Sequence, residues 1–164
     1  MIELVEIDRR HKEGVIRILN MPEVEKWLTG PPYPYSEKDA DEFIERCKIE
    51  KQNGKNFLFA IELDNIHIGG ISLHLVENNS AWIGYYLDKN YWRKGYATEA
   101  VSKIIELGVK RFNLRKIYAH TLLGNEPSEK TLLKNGFLEL PSEKTFTKNG
   151  KTYNSKYFYK ENNN

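Results

Sequence analysis

The chain has 164 residues, 40% of them hydrophobic and 29% charged, which is the composition of one ordinary globular domain and excludes a disordered or fibrous protein. Its formal net charge is only +2, with 25 basic residues spread among 23 acidic ones, so nucleic acid is not expected as a partner. Cys47 is the single cysteine, which excludes a disulfide framework and a cysteine-based zinc site.

The start of the chain, residues 1–6, has neither the basic end nor the apolar centre of a signal peptide. No apolar stretch approaches the ~20 residues of a membrane span, so we expect a cytoplasmic protein with no membrane partner. No linker rich in Gly, Ser or Pro and no internal repeat interrupts the sequence. Residues 1–160 are therefore predicted to form a single domain, and residues 161–164 a disordered tail.

The first third of the chain predicts one short strand and three helices. Residues 2–7 alternate between apolar and polar, as in a strand, and Asp8 is a candidate N-cap for the helix that follows. Pro22 suits the first turn of a second, short helix, and Ser36 begins a capping-box pattern for a third. The Gly-Pro-Pro-Tyr-Pro-Tyr segment at residues 30–35 fits neither a helix nor a central strand and predicts a stiff aromatic loop.

The rest of the chain predicts a sheet with two further helices. Three runs rich in β-branched and aromatic residues are separated by Asp-Asn and Asn-Asn turns and indicate an antiparallel meander. A helix with one apolar face, a strand, a helix and two strands joined by Asn-Gly follow. These segments are residues 57–63, 66–76, 81–87, 96–112, 116–122, 125–135, 137–146 and 152–159. The order predicts an α/β (α+β) domain with a mixed, mostly antiparallel twisted sheet of about seven strands, flanked by four to five helices.

One turn in this pattern carries a chemical signal. After the strand that ends at Leu87, the chain passes through Arg93, Lys94 and Gly95 directly into the helix that begins at Tyr96. The first amides of that helix have no intrahelical partner, its dipole favours an anion, and Gly95 allows close approach to the backbone. The turn therefore predicts a phosphate or pyrophosphate site; an ordinary turn with solvated basic side chains is the alternative. It matches neither a P-loop nor a dinucleotide fingerprint.

The segment Trp92-Arg93-Lys94-Gly95-Tyr96-Ala97 resembles the Gln/Arg-x-x-Gly-x-Gly/Ala motif of the GNAT superfamily of N-acyltransferases. Trp at the first position departs from that motif. This Trp and its flanking residues make the segment similar to the RimJ/RimL-like branch, which acetylates ribosomal-protein N-termini. That branch also contains small-amine acetyltransferases. A second block, Asn125-Glu126-Pro127-Ser128 followed by Asn135-Gly136-Phe137, is similar to the Asn-x-x-Ser and Gly-Phe of the same branch.

The resemblance implies acetyl-CoA as co-substrate and no metal. In this superfamily the strands ending near Leu87 and beginning near Lys116 splay apart, and the pantetheine arm lies between them. The amides of the basic turn hold the pyrophosphate, and the start of the last helix reaches the pantetheine. Lysines of that helix meet the adenosine phosphate in this reading, with a solvated helix face as the alternative. The implied cofactor-binding residues are Tyr85, Tyr86, Leu87, Arg93, Lys94, Gly95, Tyr96, Ala97, Thr98, Asn125, Ser128, Lys130 and Lys134.

Acetyl transfer to an amine needs a base, an oxyanion site and a proton source for the leaving thiolate. Many superfamily members supply the proton from a Tyr seven residues after the Asn, where this chain has Leu132. The resemblance implies Ser128 as the replacement; a structural Ser, or no protein acid at all, are the alternatives. For the base we favour His74 or Glu77 acting through water, and His120 is a further candidate.

The acceptor is expected to bind to parts of the chain unrelated to the cofactor. Trp27, Tyr33 and Tyr35 supply candidate aromatic walls, together with the hairpin at residues 146–153, although core packing explains Trp27 equally well. Cys47 lies on the apolar face of a predicted helix, which indicates a buried structural thiol and not a nucleophile.

The predicted reaction is direct transfer of acetyl to a primary amine in a ternary complex, with a protein or peptide N-terminus as acceptor. The alternatives are a small amine, such as a polyamine, an amino acid or an aminoglycoside, and a non-catalytic acyl-CoA-binding module. An acidic pocket would favour polycations, but the acidic residues of the third helix are more simply a solvated face. The acyl-chain length stays open, and the protein is expected as a monomer or a homodimer.

Overall fold

The computed structural model describes residues 1–163, apart from the side chains at positions 142, 143 and 146. Its seven strands are β1 (Glu3–Glu6), β2 (Asn56–Leu63), β3 (Ile66–Val76), β4 (Ser80–Leu87), β5 (Lys116–Leu122), β6 (Leu138–Lys148) and β7 (Lys151–Glu161). Its five α-helices are α1 (Lys12–Leu19), α2 (Pro22–Glu25), α3 (Glu37–Gln52), α4 (Tyr96–Phe112) and α5 (Glu126–Lys134). Within this range no helix has the length and apolar character needed to cross a membrane. The elements and their order confirm the predicted fold class.

All seven strands belong to one sheet, in the order β1-β2-β3-β4-β5-β7-β6. Neighbouring strands are antiparallel except β4 and β5, which are parallel. The ladder between these two strands is short and ends at Trp82 opposite Tyr118. Both strands continue without pairing to each other, β4 as far as Leu87 and β5 as far as Leu122. The sheet is therefore open between their carboxyl ends.

The alternation of side chains along the strands separates two layers of core. On one face, Ala81 and Ile83 of β4 belong to the same buried cluster as Ala100 and Ile104 of α4. On the other face, a smaller cluster joins α1 and α3 to the sheet, and Cys47 lies in it. Burial there raises the pKa of the Cys47 thiol to about 12, which confirms the prediction of a buried, unreactive thiol.

Two local signals in the sequence are confirmed by the backbone. Ser36 caps α3: its hydroxyl accepts from the Asp39 N–H (3.1 Å), and the Asp39 carboxylate accepts from the Ser36 N–H (2.8 Å). The turn between β6 and β7 is formed by Asn149 and Gly150, both with positive φ, as the Asn-Gly hairpin signal predicts.

The last strand continues past position 160. Glu161 pairs with Lys116 of β5, and the backbone N–H of Asn162 donates to the Arg115 carbonyl (2.8 Å). The chain is thus hydrogen-bonded over the first two positions of the predicted tail, because the first residue of β5 and the residue before it supply partners. Residue 164 lies outside the described residues.

Candidate functional site

A cleft of about 1350 Å³ opens where β4 and β5 stop pairing. Its walls come from the free ends of both strands, the first turns of α4 and α5, one face of α3 and the loop between α2 and α3. Side chains from distant parts of the sequence therefore meet in one space. Its volume exceeds the ~300–1,000 Å³ of an ordinary small-molecule pocket, so it has room for two ligands.

The basic turn before α4 forms one end of the cleft. Gly95 has φ +83°, and a Cβ built on it would have no protein atom within 4 Å, so the chain faces open space where it enters the helix. Arg93 has a positive φ of 60°. The Trp92 indole N–H donates to the Leu87 carbonyl (2.8 Å) and holds the turn against the end of β4. The turn thus presents uncovered N–H groups at the positive end of a helix dipole, as a diphosphate requires.

A buried carboxylate supports this turn from behind. Asp88 is 1% exposed and accepts from the backbone N–H and the side-chain amide of Asn90, both at 2.9 Å. It also pairs with the guanidinium of Arg17, which donates in addition to the His67 carbonyl (3.2 Å). Because a buried carboxylate is stable only with such partners, these contacts fix the start of the turn before any ligand binds.

The structure brings the predicted cofactor-binding residues together, with one exception. Lys94 does not line the cleft: its ammonium donates to the Asn90 carbonyl (3.1 Å) and lies 5.4 Å from the centre of the Tyr91 ring. The other predicted residues meet at the free end of β4, the basic turn and one face of α5. They are Tyr85, Tyr86, Leu87, Arg93, Gly95, Tyr96, Ala97, Thr98, Asn125, Ser128, Lys130 and Lys134.

The start of α5 is hydrogen-bonded to β4 through a pair of hydroxyls. The Ser128 hydroxyl lies 2.7 Å from the Tyr85 hydroxyl, which is also 3.2 Å from the Ser128 carbonyl oxygen. The backbone N–H of Ser128 donates to the side chain of Asn125, the N-cap of α5, at 3.4 Å. Burial raises the pKa of Tyr85 to about 12, so this phenol keeps its proton at neutral pH. Leu132 is fully buried in the core and supplies no proton.

His74 and Glu77, the favoured candidates for the base, lie outside the cleft lining and are exposed. The reason is the direction of β3. Because β3 runs antiparallel to β4, its carboxyl end pairs with the amino end of β4, where Val76 lies opposite Ser80. The basic turn follows the other end of β4. The structure therefore places these two side chains away from the turn, and neither contacts the space between the strands.

His120 of β5, in contrast, lines the cleft. Its ring stacks on Tyr157 with the ring centres 5.7 Å apart and 27° between the planes, and it meets Trp82 edge-on at 6.3 Å. Partial burial lowers the pKa of His120 below the ordinary histidine value. At neutral pH an uncharged imidazole therefore borders the opening between the strands.

Two of the three predicted aromatic walls reach the cleft. Trp27 lines it, and its ring tip lies 3.9 Å from a Cβ built on Gly124 after β5. Tyr35 lines it but is 6% exposed, so it packs mainly in the core, where burial raises its pKa to about 12. Tyr33 is 43% exposed and does not line the cleft, because the loop turns its ring towards solvent. Of the predicted hairpin residues, Phe146 has a side chain outside the described set.

The hairpin instead reaches this region through Lys148, a residue that the sequence did not single out. Its ammonium, on a side chain 10% exposed, donates to the Glu25 carbonyl (2.9 Å) and to the Leu28 carbonyl, and pairs with the Glu25 carboxylate. The tip of β6–β7 is thus held against the loop that carries Trp27. No local pattern in the sequence marks this contact, because Leu28 and Glu25 precede Lys148 by 120 and 123 residues.

Charged side chains of both signs border the cleft beside α3. Asp39 and Glu42 line it, but so do Arg46 and Lys26. The Asp39 carboxylate is already engaged by Ser36, whose hydrogen bonds hold the pKa of Asp39 below its usual value. Over the described residues, no group of three or more His, Cys, Asp or Glu has the arrangement of a metal site.

Comparison with known proteins connects this geometry to a family. Residues 2–138 match the family described as the acetyltransferase (GNAT) domain. The uncharacterized N-acetyltransferase p20 of Bacillus licheniformis is 35% identical over 115 residues, which cover 68% of this chain and 64% of that relative. The ribosomal-protein-serine acetyltransferase of Escherichia coli (strain K12) is 26% identical over 141 residues, covering 84% of this chain and 79% of the relative.

Solved structures share the fold over nearly the whole chain. RimL, a ribosomal L7/L12 α-N-protein acetyltransferase in complex with coenzyme A, has a TM-score of 0.88 at 19% identity, covering 98% of this chain and 93% of that one. The microcin C7 self-immunity acetyltransferase MccE, in complex with acetyl-CoA and AMP, has a TM-score of 0.85 at 24% identity, covering 98% and 92%. A spermidine N-acetyltransferase chimera has a TM-score of 0.82 at 19% identity, covering 98% of this chain and 95% of that one.

Proposed function

We propose that this chain, which belongs to the GNAT acetyltransferase family, transfers the acetyl group of acetyl-CoA to the N-terminal amine of a protein or peptide. The observation that carries the proposal is the continuity of the cleft, which joins a helix N-terminus with uncovered amides to an aromatic pocket beside α3. Two ligands can meet where β4 and β5 part, which is what direct transfer in a ternary complex needs.

Acetyl-CoA, the acyl donor that family membership implies, fits the part of the cleft that we call the donor end. It is formed by residues 84–87, 93, 95–98, 125–128, 130, 131 and 134. The diphosphate suits the amides that precede and begin α4. Lys130 and Lys134 supply positive charge for the adenosine phosphate. Beyond Trp82 the backbone of β4 has no partner in β5, so an extended pantetheine arm can pair with it as an added strand.

The chemistry is attack of a neutral amine nitrogen on the thioester carbonyl carbon. A C–N bond forms, the C–S bond breaks, and backbone amides at the end of β4 stabilise the intermediate oxyanion. The amine loses one proton, and the departing CoA thiolate takes one. Ser128, whose hydroxyl is held by Tyr85 where α5 meets β4, is our candidate for the donor of the second proton.

The acceptor end of the cleft consists of Trp27, Asp39, Glu42, Phe43, Arg46 and His120. Its two carboxylates are accompanied by Arg46 and by Lys26, so it does not concentrate negative charge as a site for a polycation would. The ribosomal-protein acetyltransferases among the relatives support a peptide N-terminus, and we propose the cytoplasm as the place of action. A small amine is the second candidate, because Glu42 lines the cleft and its exposed ion pair with Lys38 (3.7 Å) is weak enough for a ligand ammonium group to replace.

The test is CoA thiol release from acetyl-CoA with matched acceptors. A peptide with a free N-terminus and one internal lysine is compared with the same peptide acetylated at its N-terminus, and with spermidine. We expect release with the first peptide alone. Release with the blocked peptide would identify a lysine side chain as acceptor, and release with spermidine alone would replace the peptide proposal by the small-amine one. The lack of release with every amine would refute acetyl transfer.

A further inference from the structure

We propose that His120 is the catalytic base that removes a proton from the attacking amine; this inference rests on the proposed function and assigns a group that the reaction requires. Its first support is the position of His120 in the sheet. The ladder between β4 and β5 ends at Trp82 opposite Tyr118, and His120 is the next residue of β5 on the same face, because side chains alternate along a strand. Its ring therefore lies at the point where the two strands part.

On the β4 side of the opening, the corresponding position carries no side chain. Gly84 is the residue that follows Trp82 on the same face of β4, and it has no side chain. A Cβ built on Gly84 would meet only the hydroxyl of Ser72, at 3.5 Å. Gly84, Ser72 and His120 all line the cleft. The thioester of a donor that lies along β4 and an incoming amine can therefore meet next to His120 without displacing a protein side chain.

The ring of His120 is exposed to the solvent of the cleft on its free side, is oriented by two aromatic contacts, and leaves its nitrogens available. Tyr157 stacks on one side of it and the Trp82 ring lies edge-on to it. Among the hydrogen bonds and ion pairs of the described residues, none involves a ring nitrogen of His120. His11 differs, because one of its nitrogens contacts Glu62 at 2.9 Å and the other accepts a backbone N–H at 3.0 Å. An oriented imidazole with open nitrogens is suited to accept a proton from a ligand.

The surroundings keep this imidazole neutral. Partial burial lowers the pKa of His120, so the ring is uncharged at physiological pH. The titratable groups on this face of the neighbouring strands include Tyr118, Tyr157 and His74, which lies opposite Trp82 in β3. The ammonium of Lys144 lies 5.4 Å from the centre of the Tyr157 ring. α5 contributes the exposed Glu126 to the cleft, and no ion pair among the described residues joins it to His120. The base is therefore ready before the acceptor arrives.

The proton balance of the step is complete. The amine lone pair forms the C–N bond to the acetyl carbon, and the nitrogen's proton passes to a ring nitrogen of His120. Collapse of the tetrahedral intermediate breaks the C–S bond, and the thiolate of CoA takes a proton either directly from solvent or from Ser128, whose hydroxyl then regains a proton from solvent. The imidazolium then returns its proton to solvent, which regenerates the neutral base.

The experiment compares His120→Gln with His74→Gln in the full chain, using an amine that wild-type protein acetylates. Gln resembles His in size and polarity but does not accept a proton at neutral pH. We expect His120→Gln to lower kcat by about 100-fold or more and to remove the acid limb of the kcat–pH profile. The increase in Tm caused by acetyl-CoA should stay as in wild type, which shows that the variant is folded and binds the donor. His74→Gln should keep the wild-type profile, because its ring lies outside the cleft.

A second variant separates a chemical role from a structural one. In His120→Ala, added imidazole should restore part of kcat in proportion to its unprotonated fraction, and it should not do so in His120→Gln, where the side chain fills the space. Wild-type-like kcat and pH dependence in His120→Gln would overturn the assignment and leave the acetyltransferase proposal intact. Loss of the acetyl-CoA effect on Tm would assign the residue to donor binding instead. Wild-type protein inactive towards every amine would overturn both proposals.

Discussion

The donor and acceptor ends of the cleft are built in different ways. The donor end is largely backbone: the uncovered amides of α4 follow a turn whose shape is set by positive φ angles at Arg93 and Gly95. The acceptor end consists of side chains from separate elements, with Trp27 from the loop after α2, Phe43 from α3 and His120 from β5. A backbone site is specified by consecutive residues, whereas a side-chain site depends on how distant elements pack.

This difference makes separable predictions about how each end fails. A single local change in the turn should abolish donor binding and leave the acceptor end intact. A change in the packing between elements should loosen the acceptor end and leave donor binding unchanged.

The largest effect is expected for Gly95→Trp. The glycine lies directly against the open space of the donor end, so an indole there would occupy the diphosphate position. In wild-type protein, acetyl-CoA at a hundredfold excess over its Kd should stabilise the fold by about 2.7 kcal/mol. That stabilisation should vanish in the variant, as measured by the Tm with and without acetyl-CoA, and kcat/KM should fall by about three orders of magnitude or more.

The matched control is Gly54→Trp. Gly54 also has a positive φ, of 68°, and also has no protein atom within 4 Å of a built Cβ, but it follows α3 and does not line the cleft. Both variants carry a similar backbone strain, so both should show a lower Tm without ligand. Only the Gly54 variant should still respond to acetyl-CoA. An equal response in the two would show that the diphosphate does not bind at this turn.

The sequence could predict the donor end because its determinants are local. The basic turn, the glycine and the helix that follows occupy consecutive positions, and each has a physical meaning that can be read without a structure. The strand and helix order was predictable for a similar reason, since periodicity and turn residues are local. Lys94 is the one predicted residue of this turn that does not line the cleft, because its ammonium donates to the Asn90 carbonyl. The order of residues does not say on which side of a turn a long side chain lies.

The acceptor end was less predictable because it depends on strand direction and long-range packing. His74 and Glu77 were favoured for the base, yet the meander itself implies that the carboxyl end of β3 meets the amino end of β4. Applying that rule would have removed both from the vicinity of the basic turn. To place His120 beside the opening between β4 and β5, one must know where the pairing of these two strands ends, and only the structure supplies that position. The Lys148 contacts have no signal in the sequence at all.

The second-largest effect is expected at the acceptor end, for Lys148→Met. Methionine keeps the length of the side chain but removes the ammonium, which leaves the largely buried Glu25 carboxylate and two carbonyl oxygens without this partner. We expect the free energy of unfolding to fall by about 1–3 kcal/mol, measured by urea denaturation. Because the hairpin tip is held against the loop of Trp27, the KM for the acceptor should rise while the Kd for acetyl-CoA stays unchanged.

Lys110→Met provides the comparison for this variant. Lys110 also pairs with a glutamate, Glu106, but the two side chains are 74% and 62% exposed. Such an exposed pair contributes little to stability, because water screens it, so the control should be close to wild type in stability and in both ligand affinities. If Lys148→Met raised the Kd for acetyl-CoA as strongly as the KM for the acceptor, the two ends would not be independent.

The smallest effect is expected where the two ends meet, at the hydroxyl pair of Tyr85 and Ser128. If Ser128 gives a proton to the thiolate, Ser128→Ala should lower kcat by only about tenfold, since a thiolate leaves readily without an acid. Tyr85→Phe should lower kcat by no more than that, because the phenol acts through Ser128. In a double-mutant cycle the two losses should therefore not add, with the double variant equal to Ser128→Ala.

The cycle also distinguishes proton transfer from positioning. A structural role for the pair predicts a loss in Tm in both single variants and no change in kcat. The loss should be at least as large for Tyr85→Phe, because that substitution also removes the hydrogen bond to the Ser128 carbonyl oxygen. Proton donation predicts a kcat loss that diminishes when the thioester of acetyl-CoA is replaced by one with a more acidic thiol, since a better leaving group needs less assistance. Additive losses in kcat, unaffected by the leaving group, would remove Ser128 from the mechanism and leave the thiolate to take its proton from solvent.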